Sequence, residues 1–178
     1  MTVAELLADS FERVNESVAG VVDGLDAALL AERLDEESNP ISWLVWHLSR
    51  VQDDHVAAAF GVPQAWSAAS WASRLGLPEH TRDMGYGHTP GQVAATAGAI
   101  CAMPRPGKLL AEYHQAVHAQ TLSLVARLSD ADLDRVVDQH WTPPVTLGVR
   151  LVSVVDDDAR HVGQAEYVRG ILLRRAGR

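Results

Sequence analysis

Cysteine is almost absent from this chain: Cys101 is the only one among 178 residues. A single cysteine excludes both an intrachain disulfide and a metal cluster built from thiolates. Long apolar runs are also missing, and no stretch approaches the roughly 20 residues that a membrane-spanning helix needs. The first residues include Glu5 and lack a basic region ahead of an apolar block, so we expect no signal peptide. Together these absences predict a cytoplasmic protein.

Positive charge is scarce as well, and the formal net charge is −8. Proteins that bind nucleic acid usually present a basic face, because neutralising phosphates supplies most of the affinity. The arginines here are scattered, apart from the pair Arg174 and Arg175. The charge balance therefore argues against a nucleic-acid partner, and the lack of apolar spans argues against a membrane.

What the chain has in quantity is apolar residues at helical spacing. Its length suits one domain with a substantial core, and we expect a single helical-bundle domain over residues 1–178. Apolar residues three and four positions apart predict amphipathic helices, and no alternating pattern of convincing length predicts a strand. The predicted long helices span residues 3–34, 40–60, 108–128 and 146–174, with a shorter helix at 89–100 and a helical turn within 129–137.

Residues 61–89 form a long irregular segment between the second and third long helices. Its tryptophans, Trp66 and Trp71, indicate that it packs against the protein. Pro40 is expected at the first position of its helix, after the capping residues Ser38 and Asn39. Four long helices with a long connection in the middle predict an all-α fold, a four-helix bundle with a crossover.

Two of the predicted helices carry metal-capable side chains inside apolar sequence. Residues 40–51 (PISWLVWHLSRV) place His47 in the middle of an apolar stretch, and residues 154–164 (VVDDDARHVGQ) place Asp157 four positions before His161. Residues four apart lie on one helix face, about 5–6 Å from each other. Asp157 and His161 can therefore hold one cation, with His47 completing the site from a second helix.

Each of these residues alone has an ordinary structural explanation. His47 by itself fits a hydrogen-bonded core histidine, and Asp157, flanked by Asp156 and Asp158, fits an acidic helix surface. The combination is different, because burying an ionised carboxylate without a partner costs several kcal/mol. A divalent cation would satisfy all three groups and leave coordination positions open for water or substrate.

Other polar residues are weaker candidates. His114 and His118 have the spacing of a zinc-binding pair, but Tyr113 and Val117 mark the buried face better, so both histidines are predicted to face solvent. His55 lies about 12 Å along the helix axis from the proposed ligand on the same helix, which is too far for a shared ion. A surface position is expected for His55, with the lining of a pocket as the alternative.

The chain resembles the DinB-like superfamily, in particular an actinobacterial branch related to mycothiol-dependent metalloenzymes such as maleylpyruvate isomerase. The resemblance rests on residues 42–51 (SWLVWHLSRV), 83–89 (DMGYGHT) and 157–165 (DDARHVGQA), and it extends over essentially the whole chain. It implies an up-down-down-up four-helix bundle, often a homodimer, with a divalent metal such as Zn²⁺ or Ni²⁺ at one end of the helix core.

The resemblance also implies the ligands. A histidine of the second long helix and two residues four apart near the start of the last one bind the metal in the family, and these positions fall on His47, Asp157 and His161. Many relatives carry histidine or glutamate at position 157. Aspartate is shorter than either, so Asp158 or a water is the alternative ligand at that position.

Characterised relatives imply the chemistry. A low-molecular-weight thiol, mycothiol in an actinobacterium, binds the open position as a thiolate, because a metal ion deprotonates a thiol near neutral pH. The thiolate then attacks an electrophilic substrate or assists an isomerisation. Tyr86 and His88 are predicted to contact the substrate or cap the metal. Arg160 is predicted to bind a substrate carboxylate, with a surface ion pair to Asp156 as the alternative.

Two other classes of function stay open at this stage. A non-catalytic dimeric bundle, serving as a sensor or accessory protein, would show closed metal coordination, or no metal with Asp157 paired to an arginine. A metal-dependent hydrolase would need a second carboxylate near the ion, and Asp54 and Asp158 are the candidates. Cys101 has no base beside it and is not predicted to be a nucleophile.

Overall fold

The protein is described by a computed structural model over residues 1–79 and 82–177, and its secondary structure is mostly helical. The helices are α1 (Val3–Val22), α2 (Ala27–Ala31), α3 (Ile41–Phe60), α4 (Ala65–Ala68), α5 (Trp71–Arg74), α6 (Pro90–Cys101), α7 (Pro106–Val125) and α8 (Leu147–Arg175). A 3₁₀ turn, Asp130–Asp132, and two short antiparallel strands, β1 (Val136–Asp138) and β2 (Val145–Thr146), lie between α7 and α8. The predicted all-α class is confirmed.

The long helices α1, α3, α7 and α8 form the bundle, and each packs against two of the others. Helix α3 lies between α7 and α8, and α1 contacts the same two helices from the opposite side. Helices α3 and α8 are antiparallel, because His47 contacts His161 while His55, further along α3, contacts Arg150 near the start of α8. This pairing brings the first half of α3 against the middle of α8.

The remaining directions follow from contacts at the helix ends. Helices α3 and α7 run parallel, with one hydrogen bond between Ser49 and His114 and another between Gln52 and Thr121. The N-terminal halves of α1 and α8 share one apolar cluster, so these two helices are also parallel. The order is therefore up-down-down-up. The two parallel neighbours α3 and α7 are joined by residues 61–105, the predicted crossover, which contains α4, α5 and α6.

The first predicted helix is shorter than expected. It was predicted over 3–34 but ends at Val22, and Gly24 adopts a left-handed backbone conformation with φ of +67°. The Asp26 carboxylate then accepts a hydrogen bond from the Leu29 amide at 2.9 Å and starts the separate helix α2. The glycine and the new cap favour a turn over continued helix, although apolar spacing continues across it.

Helix starts and stops elsewhere agree with the sequence to within a few residues. Thr89 and Gln92 form the reciprocal capping box that opens α6, and Gly61 ends α3 in a left-handed conformation. Pro40 is the residue before the first helical position of α3 and not the first helical residue. Residues 129–137 contain the predicted helical turn as the 3₁₀ turn Asp130–Asp132, and the strand β1 that follows it was not predicted. Strands of three and two residues are too short to show an alternating pattern.

The apolar core is divided into two clusters by buried polar side chains. The larger cluster includes the first half of α3 and the second half of α8, and the smaller one includes the opposite halves of these helices. Around the boundary between them lie the buried polar residues Ser49, Gln52, His114, His118, Thr121 and Asp158. A polar layer of this kind needs internal partners, because an unpaired polar group is costly in a low-dielectric interior.

His114 and His118 belong to this layer, so the prediction that they face solvent was wrong. His114 is 1% exposed and His118 is 2% exposed. The His114 Nδ1 lies 3.0 Å from the Ser49 hydroxyl oxygen, and the His118 Nε2 lies 2.9 Å from a carboxylate oxygen of Glu12. One nitrogen of each imidazole thus has a polar partner on a neighbouring helix, while the other nitrogen of each is buried without a hydrogen-bond partner in the described part of the chain. Burial, and secondarily His118, lowers the pKa of His114 to about 3.

Helices long and apolar enough to cross a membrane are not found in the described part of the chain.

Replacing His114 by Leu should reduce the sensitivity of the fold to acid. The pKa of His114 is about 3 in the folded protein, whereas an ordinary histidine has a pKa of 6.5, so below pH 6.5 the unfolded chain takes up a proton that the folded protein does not. Stability therefore falls as the pH falls through this window. Between about pH 6.5 and pH 4, wild type should lose about 3 kcal/mol more unfolding free energy than His114→Leu. Urea unfolding in the presence of a chelator measures this, and parallel losses for the two proteins would contradict it.

Candidate metal centre

The first half of α3 is buried on every side, and His47 lies in it. All residues from Ile41 to Asp53 are buried, and His47 is 3% exposed. The Trp43 ring stacks on the His47 imidazole with centroids 4.6 Å apart. Helix propensity and apolar burial thus hold an imidazole in a fixed place inside the bundle, next to α8.

Asp157 and His161 approach His47 from α8, as their spacing predicted. The His47 and His161 ring centroids are 4.7 Å apart with the planes nearly perpendicular, and His161 Nε2 is 3.7 Å from Asp157 Oδ1. That distance is too long for a hydrogen bond. One ligand atom from each of the three residues lies within 4.8 Å of the others. Among the described residues, this is the group of histidine and carboxylate side chains that is arranged to hold a metal ion.

The hydrogen bonds of the two imidazoles leave one nitrogen of each available. The Nδ1 of His47 donates to the Met84 carbonyl oxygen, and the Nδ1 of His161 lies 3.0 Å from the side-chain oxygen of Gln164. Each Nε2 is then the unprotonated nitrogen, which is the atom that binds a metal. Burial lowers the pKa of His47 to about 4, so this imidazole is neutral at pH 7.

The carboxylates at 157 and 158 have different environments. Asp157 is half-buried at the edge of the site, and its Oδ2 has no hydrogen-bond partner in the described part of the chain. Burial raises the pKa of Asp157, against the opposing effect of His161. Asp158 is fully buried in the polar layer of the core and does not belong to the gathered group. The structure therefore places Asp157, and not Asp158, with the two histidines.

An incompletely satisfied carboxylate beside two imidazoles fits a divalent cation. Two nitrogens and one carboxylate oxygen are a ligand set used by zinc and related metals. His161 and Asp157 keep about a fifth of their side chains exposed, so solvent reaches the site from one side. The arrangement can thus hold an ion and leave a position open.

Tyr86 and His88 both lie in the segment 83–88, which covers His47. The Tyr86 ring meets the His47 ring edge-on at 5.2 Å, and more than half of Tyr86 is exposed. The pKa of Tyr86 is raised to about 12, mainly by burial and secondly by the Asp157 charge, so the phenol keeps its proton. In His88, Nδ1 accepts a hydrogen bond from the Trp43 indole at 3.3 Å, and Nε2 lies 3.0 Å from Asp83 Oδ1. Tyr86 borders the site, whereas both His88 nitrogens are engaged by protein groups.

Arg160 lies on the exposed side of α8. Its guanidinium pairs with the Asp156 carboxylate at 3.0 Å, and about 70% of the side chain is exposed. This is the surface ion pair that the sequence offered as the alternative. Binding of a substrate carboxylate by Arg160 stays a prediction.

His55 is closer to the site than its sequence separation indicated. Its ring centroid lies 6.5 Å from that of Tyr86, and its Nδ1 receives a hydrogen bond from the Arg150 guanidinium at 3.3 Å. Because an arginine only donates, the His55 Nε2 carries the proton. Burial and then Arg150 lower the pKa of His55. The structure thus favours the lining alternative, through the antiparallel packing of α3 on α8.

Gly85 is a site residue that sequence reasoning missed. Its φ is +91°, and a Cβ added there would lie 2.8 Å from Trp43 Cζ2 and 3.0 Å from His47 Nδ1. Only glycine combines this conformation with so close an approach. The Met84 carbonyl that binds His47 was also missed, because a backbone atom has no signature in the sequence.

The fold and the site together define a helical bundle with a candidate metal centre, the His-Asp-His group, between its second and last long helices. A model of the DinB superfamily matches residues 10–165, and the chain belongs to this superfamily. A crystal structure of a conserved protein from Enterococcus faecalis is similar to it, with a TM-score of 0.84 and 31% sequence identity over 97% of this chain and 98% of that one. No curated protein matches the chain.

Substituting Gly85 should destabilise the protein more than substituting Gly87. Both glycines have positive φ, but only Gly85 has atoms close to the position of an added Cβ. Gly85→Ala adds a clash with His47 and Trp43 to the backbone strain that Gly87→Ala also introduces. We expect an additional loss of about 1–3 kcal/mol for Gly85→Ala. Chemical denaturation of the metal-free proteins measures the difference. Equal losses of unfolding free energy for the two variants would show that Gly85 does not approach His47 and Trp43 as closely as described.

Proposed function

We propose that this protein binds one divalent metal ion, Zn²⁺ or Ni²⁺, through His47, Asp157 and His161, and is an enzyme that uses a low-molecular-weight thiol. The observation that carries the proposal is the gathering of His47, Asp157 and His161, which each place one ligand atom within 4.8 Å of the others, with one Asp157 oxygen lacking a hydrogen-bond partner among the described residues. Family membership supports it independently. The reaction class is thiol transfer to an electrophile or thiol-assisted isomerisation, with mycothiol as the proposed thiol.

A bound divalent ion supplies positive charge, which lowers the pKa of a small thiol and makes it nucleophilic near neutral pH. The side chains around the site supply binding and orientation. Tyr86 keeps its phenolic proton and can donate a hydrogen bond to an oxygen of the electrophile. His55 presents a neutral Nε2–H on the same side, since Arg150 occupies its Nδ1. We therefore propose a carbonyl-containing electrophile, held by these two donors.

The competing functions have less support in the geometry. A metal-free structural site would pair Asp157 with an arginine, but the arginine pair found in this part of α8 is Asp156 with Arg160. A hydrolase would need a free carboxylate beside the ion. Asp158 is buried in the core, and Asp54 accepts a hydrogen bond from Gln64 at 2.6 Å. These contacts favour the thiol over an activated water.

Metal content tests the site directly. Protein made without a polyhistidine tag should contain close to one Zn²⁺ or Ni²⁺ per chain after reconstitution, and His161→Ala or His47→Ala should lose most of it, because each removes one of three protein ligands. His140→Ala, which changes an exposed histidine on the connection between β1 and β2, is the matched control and should keep the metal. Elemental analysis after gel filtration gives the ratio. Retention of full metal by His161→Ala would refute the site.

The thiol is tested on protein loaded with Ni²⁺ or Co²⁺, whose absorption reports a thiolate ligand. Adding a small thiol should produce a charge-transfer band in wild type and no band in His161→Ala. Failure of several thiols to produce the band, with metal fully bound, would remove the enzyme hypothesis and leave a metal-binding bundle.

We also propose that the protein is a cytoplasmic homodimer without nucleic-acid or membrane partners. Val149, Val152 and Tyr167 are apolar side chains exposed along α8, between 57% and 70% each, and support an interface on this helix. The mass in solution should be twice the chain mass of 19.3 kDa, and Val152→Glu should shift it to the monomer, since a charge would be buried in the contact. Analytical ultracentrifugation decides, and a monomeric wild type would overturn the proposal.

A further inference from the structure

The orientation of His47 depends on a backbone segment that has no helix or strand to hold it. His47 Nδ1 donates to the Met84 carbonyl, and residues 83–88 contain only turn and irregular backbone. A carbonyl in such a segment can direct an imidazole only if other contacts fix it. Two side chains, Asp83 and Arg50, supply these contacts.

Asp83 closes the segment on itself. Its Oδ1 accepts a hydrogen bond from the Gly85 amide at 3.0 Å and lies 3.0 Å from His88 Nε2. His88 is in turn bound to the Trp43 indole, four residues before His47 on α3. The carboxylate therefore joins both ends of the segment to each other and, through His88, to the helix that carries His47.

Arg50 holds the same segment from inside the bundle. It is fully buried, and its Nε donates to the Asp83 carbonyl at 3.2 Å. Its other nitrogens bond Tyr113 at 3.2 Å and Gln64 at 3.1 Å. The carbonyls of the consecutive residues 83 and 84 are thus held by Arg50 and His47, which lie three apart on one face of α3.

The contacts of Asp83 and Arg50 bear on how the His47 ring is positioned. Resting on the proposed metal function, we propose that Asp83 and Arg50 are positioning residues that fix the tautomer and orientation of His47, and thereby set the metal affinity of the site. A partner that locks the second nitrogen of a ligating histidine typically changes affinity 10–100-fold. Here the partner of His47 Nδ1 is the Met84 carbonyl, and Asp83 and Arg50 hold the residues on either side of it, so we expect them to affect metal affinity.

Asp83 is the residue on which this role can be separated from folding. Arg50 also binds Asp53, which accepts hydrogen bonds from the first amides of α4, so its removal would disturb the core. The Asp83 side chain is 45% exposed and lies outside the core. Asp83→Ala deletes both of its hydrogen bonds. Asp83→Asn keeps an oxygen that can accept them and serves as the conservative rescue.

The test measures Zn²⁺ affinity by chelator competition, and the ¹⁵N shifts of the His47 ring in the metal-free protein. Asp83→Ala should weaken Zn²⁺ binding by about 10–100-fold and shift the His47 nitrogens toward a mixture of tautomers, while Asp83→Asn stays close to wild type. Asp35→Ala is the matched control, since that carboxylate also accepts hydrogen bonds from loop amides, at 2.7 and 3.0 Å, away from the site. It should leave both readouts unchanged.

Wild-type affinity and wild-type His47 shifts in Asp83→Ala would overturn the proposal. An affinity loss with unchanged His47 shifts would also overturn it, because Asp83 would then act on the fold and not on the imidazole. If wild type binds no Zn²⁺, the proposed metal function fails. The His47 shifts of the metal-free proteins still decide whether Asp83 positions the ring.

Discussion

The hydrogen bond from His47 to the Met84 carbonyl is the constraint on which the site depends. It lets an imidazole be buried in a helix that is apolar on nearly every face, and it assigns the proton to Nδ1, leaving Nε2 toward α8. The same bond requires segment 83–88 to lie directly on α3. That contact is possible only because Gly85 lacks a side chain at a φ of +91°. One buried hydrogen bond thus links the crossover connection to the proposed metal ligands.

Burying polar groups around this site costs the folded protein desolvation free energy. The polar layer interrupts the apolar core where α3 crosses α8, and Asp158 is buried there beside the proposed ligand Asp157. Both Asp158 oxygens are without hydrogen-bond partners in the described part of the chain, and burial raises the pKa of this carboxyl well above its usual range. A uniformly apolar core would avoid these desolvation costs. Their concentration next to the His-Asp-His group is typical of a functional region.

The elements that could be predicted from sequence were those set by local chemistry. Apolar spacing identified the four bundle helices, and the capping box at Thr89 marked the start of α6. The spacing of Asp157 and His161 placed both on one helix face. The predictions for His114 and His118 were wrong for a different reason: their exposure depends on α1 and α3 packing on both sides of α7, which no local pattern records.

The sequence by itself determined the four bundle helices, the crossover and the placing of Asp157 and His161 on one helix face, because helical periodicity and i,i+4 spacing act within a single segment. Tertiary structure decided the rest. Antiparallel packing of α3 on α8 brought His47 to His161, separated Asp157 from the buried Asp158, and moved His55 to the edge of the site. The hydrogen bonds from His47 to the Met84 carbonyl and from Arg50 to the Asp83 carbonyl join residues more than thirty positions apart. Such contacts depend on how the chain packs as a whole, so no single stretch of sequence encodes them.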